Sequence, residues 1–473
     1  VSVLRLVPLA SMGQGQLRYR NTNGQVVTLS LAQLNGLVVP GGSAPGPVVD
    51  MNPAAIAVFQ SAAARYPAND TGLGDGLNTG GYRFNAPLPV ELNTHTAKID
   101  WKITRDDKHT VSVRGNYQQD IFANASAFPD TPTPDTWSHP LGVAASYTWL
   151  IKSNIVNRFT YGLTRNAFSN QGDSNENTIT FRDVFSPSNF ARSFNRVQPT
   201  QNFTNDVNWT IGDHSLQFGI NFRIIRNKRT DFGLAFDNGV ANSSFYLGAG
   251  TQLTQAVNNL GPDFQVDPQF SLAVQRALAG LIGRLSQYGA NFNFGIDGQP
   301  LAGGVPVVRN WAAEEYDFYV QDSWKIRPNF TLNLGLRYGL STPVYETQGF
   351  QAKPNITLQD YLDRRVAAAA QGQNYTEPLQ IVLAGPANGA EGFYSMDWDN
   401  WQPRVSFAWT PKFESGWLSK IFGTNDESVV RGGFSIMNDY FGQALAVNFD
   451  ANNRLGFASN QTISANTYNI TTN

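Results

Sequence analysis

Five of the ten tryptophans in this 473-residue chain, Trp101, Trp149, Trp209, Trp324 and Trp409, hold the same place in a recurring pattern. Each closes a run of residues alternating between apolar and polar, and a turn signal follows it. Four continue alike, as Trp101-Lys102-Ile103, Trp149-Leu150-Ile151, Trp209-Thr210-Ile211 and Trp324-Lys325-Ile326, with a second alternating run directly after the turn. Period-two alternation sends successive side chains to opposite faces of a sheet. A tryptophan repeated at one height on successive hairpins suits a membrane–water interface, where an amphipathic ring is most stable.

Each hairpin has one apolar, aromatic face and one polar face. In the first, Ala97, Ile99, Trp101 and Ile103 oppose Thr96, Lys98, Asp100 and Lys102, and the return strand sets Val111, Val113 and Tyr117 against Ser112, Arg114 and Asn116. The second places Tyr147 and Trp149, then Phe159, Tyr161 and Leu163, against Ser146, Thr148, Arg158 and Thr160. In the third, Phe203, Val207, Trp209 and Ile211 oppose Thr204, Asp206 and Asn208, and Leu216, Phe218, Ile220 and Phe222 return against Gln217, Asn221 and Arg223. The fourth sets Phe318, Val320 and Trp324 against Gln321, Ser323 and Lys325, then Leu332 to Tyr338 against Asn333 and Arg337. The fifth sets Val405, Phe407 and Trp409 against Arg404 and Ser406, then Val430, Phe434 and Ile436 against Arg431 and Ser435. Every return strand thus carries an arginine on its polar face: Arg114, Arg158, Arg223, Arg337 and Arg431. Asp322 breaks the alternation by sharing a face with Val320 and Trp324. A bulge turning it to the polar side and an interfacial position beside a partner both remain open.

A half-buried soluble sheet shows the same alternation, so connection lengths carry the distinction. At the tryptophan end the connections are mostly a few residues, with 411–428 the exception. At the other end they are long: 120–140, 167–200, 227–310 and 341–401. Short turns on one side and long loops on the other mark an outer-membrane barrel, and strands of about ten residues match the ~9–11 that cross a bilayer at a tilt. The fold class is therefore all-β, an antiparallel transmembrane β-barrel with short helices in its long loops. The lumen-facing candidates are Lys98, Asp100, Arg114, Arg158, Asp206, Arg223, Lys325, Arg337, Arg404 and Arg431; the five tryptophans form the interfacial girdle.

Composition excludes several alternatives. Charged residues are only 15% and the net charge is -2, which implies no attraction to nucleic acid. With no cysteine there is no disulfide framework or thiolate site. No stretch reaches the ~18 apolar residues of a transmembrane helix. The start, Val1-Ser2-Val3-Leu4-Arg5, lacks the parts of a signal peptide, which makes a fragment or processed product the expectation. His95, His109, His139 and His214 are scattered without zinc-ligand spacing. Glu314-Glu315, at a strand start, reads as a solvated loop end rather than an acid/base pair. No nucleophile elbow occurs, and neither metal, cofactor nor catalytic residue is expected.

In the loops, Asn52-Pro53 signals a helix through Tyr66. Asp267-Pro268 signals a second with helical spacing to Leu285, and Thr357 caps a third through Ala370. Residues 17–20 and 26–29 read as an exposed hairpin, and the glycine-rich run 72–81 as a flexible linker. Asp70, Asp75 and Asn78 do not match a calcium loop.

The segment 319–338, Tyr-Val-Gln-Asp-Ser-Trp-Lys-Ile-Arg-Pro-Asn-Phe-Thr-Leu-Asn-Leu-Gly-Leu-Arg-Tyr, resembles the barrel of TonB-dependent receptors. So do 402–411, Gln-Pro-Arg-Val-Ser-Phe-Ala-Trp-Thr-Pro, and Val430-Arg431-Gly432-Gly433-Phe434. Asn52-Pro53 through Tyr66-Pro67, with Lys98-Ile99-Asp100-Trp101 and Asp107-Lys108-His109, is similar to the Oar-like branch. The resemblance implies part of a barrel of about 22 strands, with a plug domain, the TonB energy-coupling protein and outer-membrane lipid as partners. The plug, the coupling box and an N-terminal domain are not visible in this stretch.

The expected organisation is an extracellular region over 1–93, barrel hairpins over 94–442, and a truncated extracellular loop over 443–473. The expected function is substrate uptake across the Gram-negative outer membrane, of a small molecule, glycan or peptide that the sequence does not specify. A passive porin-like channel and a surface adhesion protein are the alternatives.

Overall fold

The computed structural model describes residues 1–40, 48–243, 251–424, 427–439, 444, 447–448, 450, 455–463 and 468–469. Ten strands form an up-and-down antiparallel meander: β1 (Val90–Lys102), β2 (His109–Ala123), β3 (Leu141–Lys152), β4 (Ile155–Gln171), β5 (Phe194–Ile211), β6 (His214–Asp231), β7 (Val307–Arg327), β8 (Phe330–Ser341), β9 (Trp401–Trp409) and β10 (Val430–Ser435). Each pairs with the next in sequence. Two short strands, Asp135–Ser138 and Tyr345–Glu346, extend the sheet at its long-loop end. Among the described residues β1 and β10 do not pair with each other, so the wall is open there.

All five expected hairpins are present, four of them with tight turns, some of which use residues that tolerate left-handed backbone. Asp107 (φ 57°) and Gly212 (φ 55°) make two of them, and the register shifts by a bulge at Leu150/Lys152 and Trp324/Arg327. The strands run farther than the alternation indicated. β4 continues to Gln171, β5 begins at Phe194, and β7 has 21 residues rather than about ten. The extra length lies at the long-loop end. Lipid sets the length of the apolar stretch, while backbone pairing continues beyond it.

Three of the long loops, 120–140, 167–200 and 227–310, share one hydrophobic core with the N-terminal stretch, joining Leu17, Tyr19, Leu29 and Phe59 to Phe128, Phe181, Leu253, Leu278 and Leu281. Helix α1 (Pro53–Arg65) starts where Asn52 accepts from the Ala54 N–H, and buries Ala55, Phe59 and Ala62 at helical spacing. Phe59 meets Phe181 edge-on at 4.6 Å between ring centroids. Helix α2 (Thr251–Asn258) carried no start signal that sequence reasoning recognised. Helix α3 (Ser271–Ile282) follows a short 3-10 turn and stops before Leu285, because Gly283 turns left-handed (φ 64°). A Cβ at Gly283 would lie 2.8 Å from that of Asn52, so the helix end and the α1 cap close on one another. Helix α4 (Leu358–Ala370) is capped by Thr357 as expected and buries no residue.

Several expectations are corrected here. The hairpin Leu17–Arg20/Val26–Leu29 is not exposed: Leu17, Tyr19 and Leu29 are fully buried. The run 72–81 is not a linker throughout, since its last residues begin the strand Thr79–Asn85, which pairs along its length with Ser2–Pro8. Asp75 accepts from the N–H groups of Leu77, Asn78 and Thr79, and so clips a turn. Asp70 binds Arg83 at 2.5 Å. Asp130 joins the loops by accepting from Tyr66 at 2.5 Å and pairing with Arg65. These two donors hold its carboxyl below the usual carboxylate range. Of the C-terminal stretch, Ala458–Ile463 pairs with Gln287–Asn293, while the expected truncated end at Asn473 lies outside the described residues.

Phe59→Ala removes a fully buried ring from this shared core and is expected to cost about 3–5 kcal/mol in loop stability. Limited proteolysis should then release loop fragments at lower denaturant, while far-UV circular dichroism of the ten strands stays unchanged.

Candidate functional site: the two faces of the sheet

Register across the strands places the five tryptophans on a single face. Trp101 lies opposite Val111, Trp149 opposite His109, Trp209 opposite Leu216, Trp324 opposite His214, and Trp409 opposite Phe330. Toward the long-loop end this face carries a second aromatic row that sequence reasoning missed. Tyr161, Phe203, Phe222 and Tyr316 are directly opposed on four successive strands, with centroids 5.1, 6.1 and 5.0 Å apart. Tyr338 and Trp401 add a pair at 4.3 Å. The signal was available, because these residues continue the same alternation away from each tryptophan.

Between the rows lie exposed apolar side chains: Phe159, Phe218, Ile220, Phe318, Val320, Leu334 and Leu336. Trp324 and Tyr316 are eight residues apart on β7. At ~3.3 Å per residue and a tilt near 40°, that is about 20 Å of height, close to the ~25 Å lipid-facing band of such barrels. Some of the polar groups on this face pair with one another. Asn157 donates to Asn205 at 3.0 Å. Asp322 stays on the apolar face, opposite Leu216 and Leu334 with no bulge, and meets the His214 Nδ1 at 2.6 Å. His214 also stacks on Trp324 (5.1 Å). The same constellation recurs where His109 stacks on Trp149 and meets the Tyr147 hydroxyl at 2.6 Å.

The opposite face gathers the polar candidates. Lys98 and Arg114 are cross-strand neighbours, with Asp100 2.8 Å from Lys98. Arg158 lies opposite Asp206, which accepts from the Tyr319 hydroxyl at 2.7 Å. Arg223 pairs with Glu315, and Arg337 with Asp317 at 2.9 Å. Arg404 is exposed, and Gly335 directly opposite leaves the space that its stem fills. Lys325 and Arg431 stand exposed near the tight-turn end, away from these clusters. The acidic partners Glu315 and Asp317 were not anticipated. Glu314-Glu315 is not a solvated loop end, because β7 continues past it to Val307. Glu315 is 4% exposed against Arg223, while Glu314 on the other face pairs with Arg226 at 2.7 Å and closes the apolar band. Among the described residues no group of three or more His, Cys, Asp or Glu could hold a metal, and no helix is long and apolar enough to cross a membrane.

A wall with aromatic rows bounding one apolar face and ion pairs on the other is that of an outer-membrane β-barrel protein. The chain belongs to the family described as outer membrane beta barrel domain, whose profile matches residues 1–473. It is an all-β protein of the Gram-negative outer membrane whose apolar face meets lipid. Among solved structures it is similar to the outer membrane transporter YddB from Escherichia coli, at 12% identity and TM-score 0.36, over 73% of this chain and 40% of that one. It is also similar to the ferripyoverdine receptor of Pseudomonas aeruginosa, at 10% identity and TM-score 0.37, over 77% of this chain and 38% of that one. A third is the copper transporter OprC, at 8% identity and TM-score 0.30, over 93% of this chain and 64% of that one. The chain thus spans about two-fifths of the length of the first two. No curated protein matches.

Val320→Arg places a charge midway across the lipid face and should lower folding stability by about 2–4 kcal/mol, whereas Ser323→Arg on the polar face should not. Urea unfolding in lipid vesicles measures both. Arg337→Ala leaves the Asp317 carboxylate, 3% exposed, without its guanidinium. The expected loss is about 3–5 kcal/mol, and most of it should be recovered in the double variant with Asp317→Ala.

Proposed function

We propose that this chain forms much of the barrel wall of an Oar-like, TonB-dependent outer-membrane receptor that takes up substrate from outside the cell. The observation that carries the reading is the separation of roles along and across the wall. Apolar residues face lipid, ion-paired residues face the lumen, tight turns lie on the periplasmic side, and three of the four long loops on the other side share one core. The fused loops are the extracellular part and capture substrate. The lumenal row from Lys98 and Arg114 to Arg337, Arg404 and Arg431 contacts the plug domain or guides the substrate. The plug and the TonB protein are the partners that couple uptake to energy. The likeness of 319–338 and 402–411 to receptor barrel segments supports this over a passive channel.

The absence of native cysteine makes the orientation directly testable. Gln373→Cys, beyond α4, should react with a polymer-linked maleimide on intact cells. Arg105→Cys, in the β1–β2 turn, should react only after the outer membrane is permeabilised. The reverse labelling would overturn the orientation. Uptake that persists without the TonB protein would overturn the coupled mechanism in favour of a channel.

A further inference from the structure

The aromatic row Tyr161–Phe203–Phe222–Tyr316 bounds the lipid band, and the same face of the sheet continues beyond it toward the long loops. Four residues farther along each strand, the face reads Arg165, Pro199, Arg226 and Ala312 across β4 to β7. Two residues beyond that it reads Ala167, Val197, Lys228 and Asn310. At ~3.3 Å per residue and a tilt near 40°, these two rows stand about 10 and 15 Å above the aromatic rings. Aromatic belts mark the edge of the hydrocarbon, so this is the height of the lipid headgroups. Three cations therefore face outward among headgroups, on the side of the wall away from the lumen.

One of the three is neutralised. Arg226 pairs with Glu314 at 2.7 Å, and that carboxylate also accepts from the hydroxyls of Tyr345 and Thr342 at 3.1 and 3.4 Å. Lys228 is exposed and Arg165 half-buried, and neither has an ion-pair partner among the described residues. Asp135, an acid on the same face, lies opposite Gln171, six residues past Arg165. Arg165 donates instead to the His139 carbonyl at 3.2 Å. The His139 ring stacks on Trp137 at 3.8 Å, and Trp137 lies on this face between Ile121 and Ser169. Three nitrogens of this group are buried without a hydrogen-bond partner: Trp137 Nε1, His139 Nδ1 and Arg165 Nε. Leaving a buried donor unmade is costly, and an oxyanion that reaches it removes the cost.

We propose that Trp137, His139, Arg165 and Lys228 form a binding site, on the outside of the wall, for the phosphate of an outer-leaflet lipid headgroup. Arg165 and the Trp137–His139 stack supply donors on one side, and Lys228 supplies a mobile charge on the other. The lipid's acyl chains then run down over Tyr161, Phe203 and the apolar band below them. A headgroup is favoured over a free anion, because the site faces away from the lumen and opens directly onto the lipid face. The choice of leaflet rests on the receptor reading, which sets the long loops outside the cell; the site itself does not.

Native mass spectrometry of the full chain in a neutral detergent, at low ionic strength, tests the site with phosphatidic acid and with phosphatidylcholine of the same acyl chains. The wild type should retain phosphatidic acid preferentially, and millimolar inorganic phosphate should not displace it. Arg165→Gln and Lys228→Gln should each lower that retention about fivefold, the usual worth of one basic residue against an anionic headgroup. Trp137→Phe keeps a ring for the stack and removes only the indole N–H, and it should also weaken retention. Arg165→Lys, which keeps the charge and so guards against a folding artefact, should retain more than Arg165→Gln. Arg20→Gln removes an exposed charge from the N-terminal hairpin and should change nothing. Equal retention of the two lipids, displacement by inorganic phosphate, or an equal loss in Arg20→Gln would overturn the proposal. Because retention is read on purified protein, it stands or falls separately from the labelling and uptake experiments on cells.

Discussion

Lipid offers no hydrogen-bond partner, and the wall of this protein follows from that one constraint. Every backbone N–H and C=O that crosses the bilayer must be satisfied by pairing, which the run of neighbours from β1 to β10 provides everywhere but on the outer edges of those two strands. Once the backbone is paired, each side chain has only two destinations. Charge therefore collects on one face, where Arg223 meets Glu315 and Arg337 meets Asp317. Two polar groups on the lipid face answer the same constraint by pairing. Asn157 is tied to Asn205, and Asp322 to His214 at the depth of the tryptophan row.

Conventional packing appears only beyond the lipid. Phe218, Ile220, Phe318 and Val320 remain exposed in the wall because hydrocarbon is their solvent. The fully buried side chains Tyr19, Phe59, Leu253 and Leu278 belong instead to the fused loops. Long connections that stayed separate would leave their own apolar residues in water. By merging with the N-terminal stretch, three of them bury those residues jointly, and the result is one packed body at one end of the sheet.

Much of the wall was legible in the sequence. The hairpins, the face of each tryptophan and arginine, and the contrast between tight turns and long loops all came through. Three helix starts were marked by Asn52, Asp267 and Thr357. What failed was of a different kind. Glu315 read as solvated, because strand continuation above the membrane carries no lipid-imposed alternation. The hairpin at 17–29 read as exposed, because the residues that cover it, such as Phe264, whose carbonyl accepts from the Tyr19 hydroxyl, lie far along the chain. Asp322 could not be placed until the register brought His214 beside it.

The sequence by itself determined the local order of the chain: which residues alternate, where hairpins turn, and which face of each strand is apolar. Period-two patterning and turn chemistry act over a few residues, so they can be read from a few residues. Only the tertiary structure decided what meets across strands and loops. It joined the aromatic row Tyr161–Phe203–Phe222–Tyr316, brought Trp137, His139 and Arg165 together above it, and fused three of the loops around Phe59. Those contacts depend on the pairing register of strands separated by long connections. Backbone hydrogen bonding and shared burial set that register, and neither leaves a mark in the local sequence.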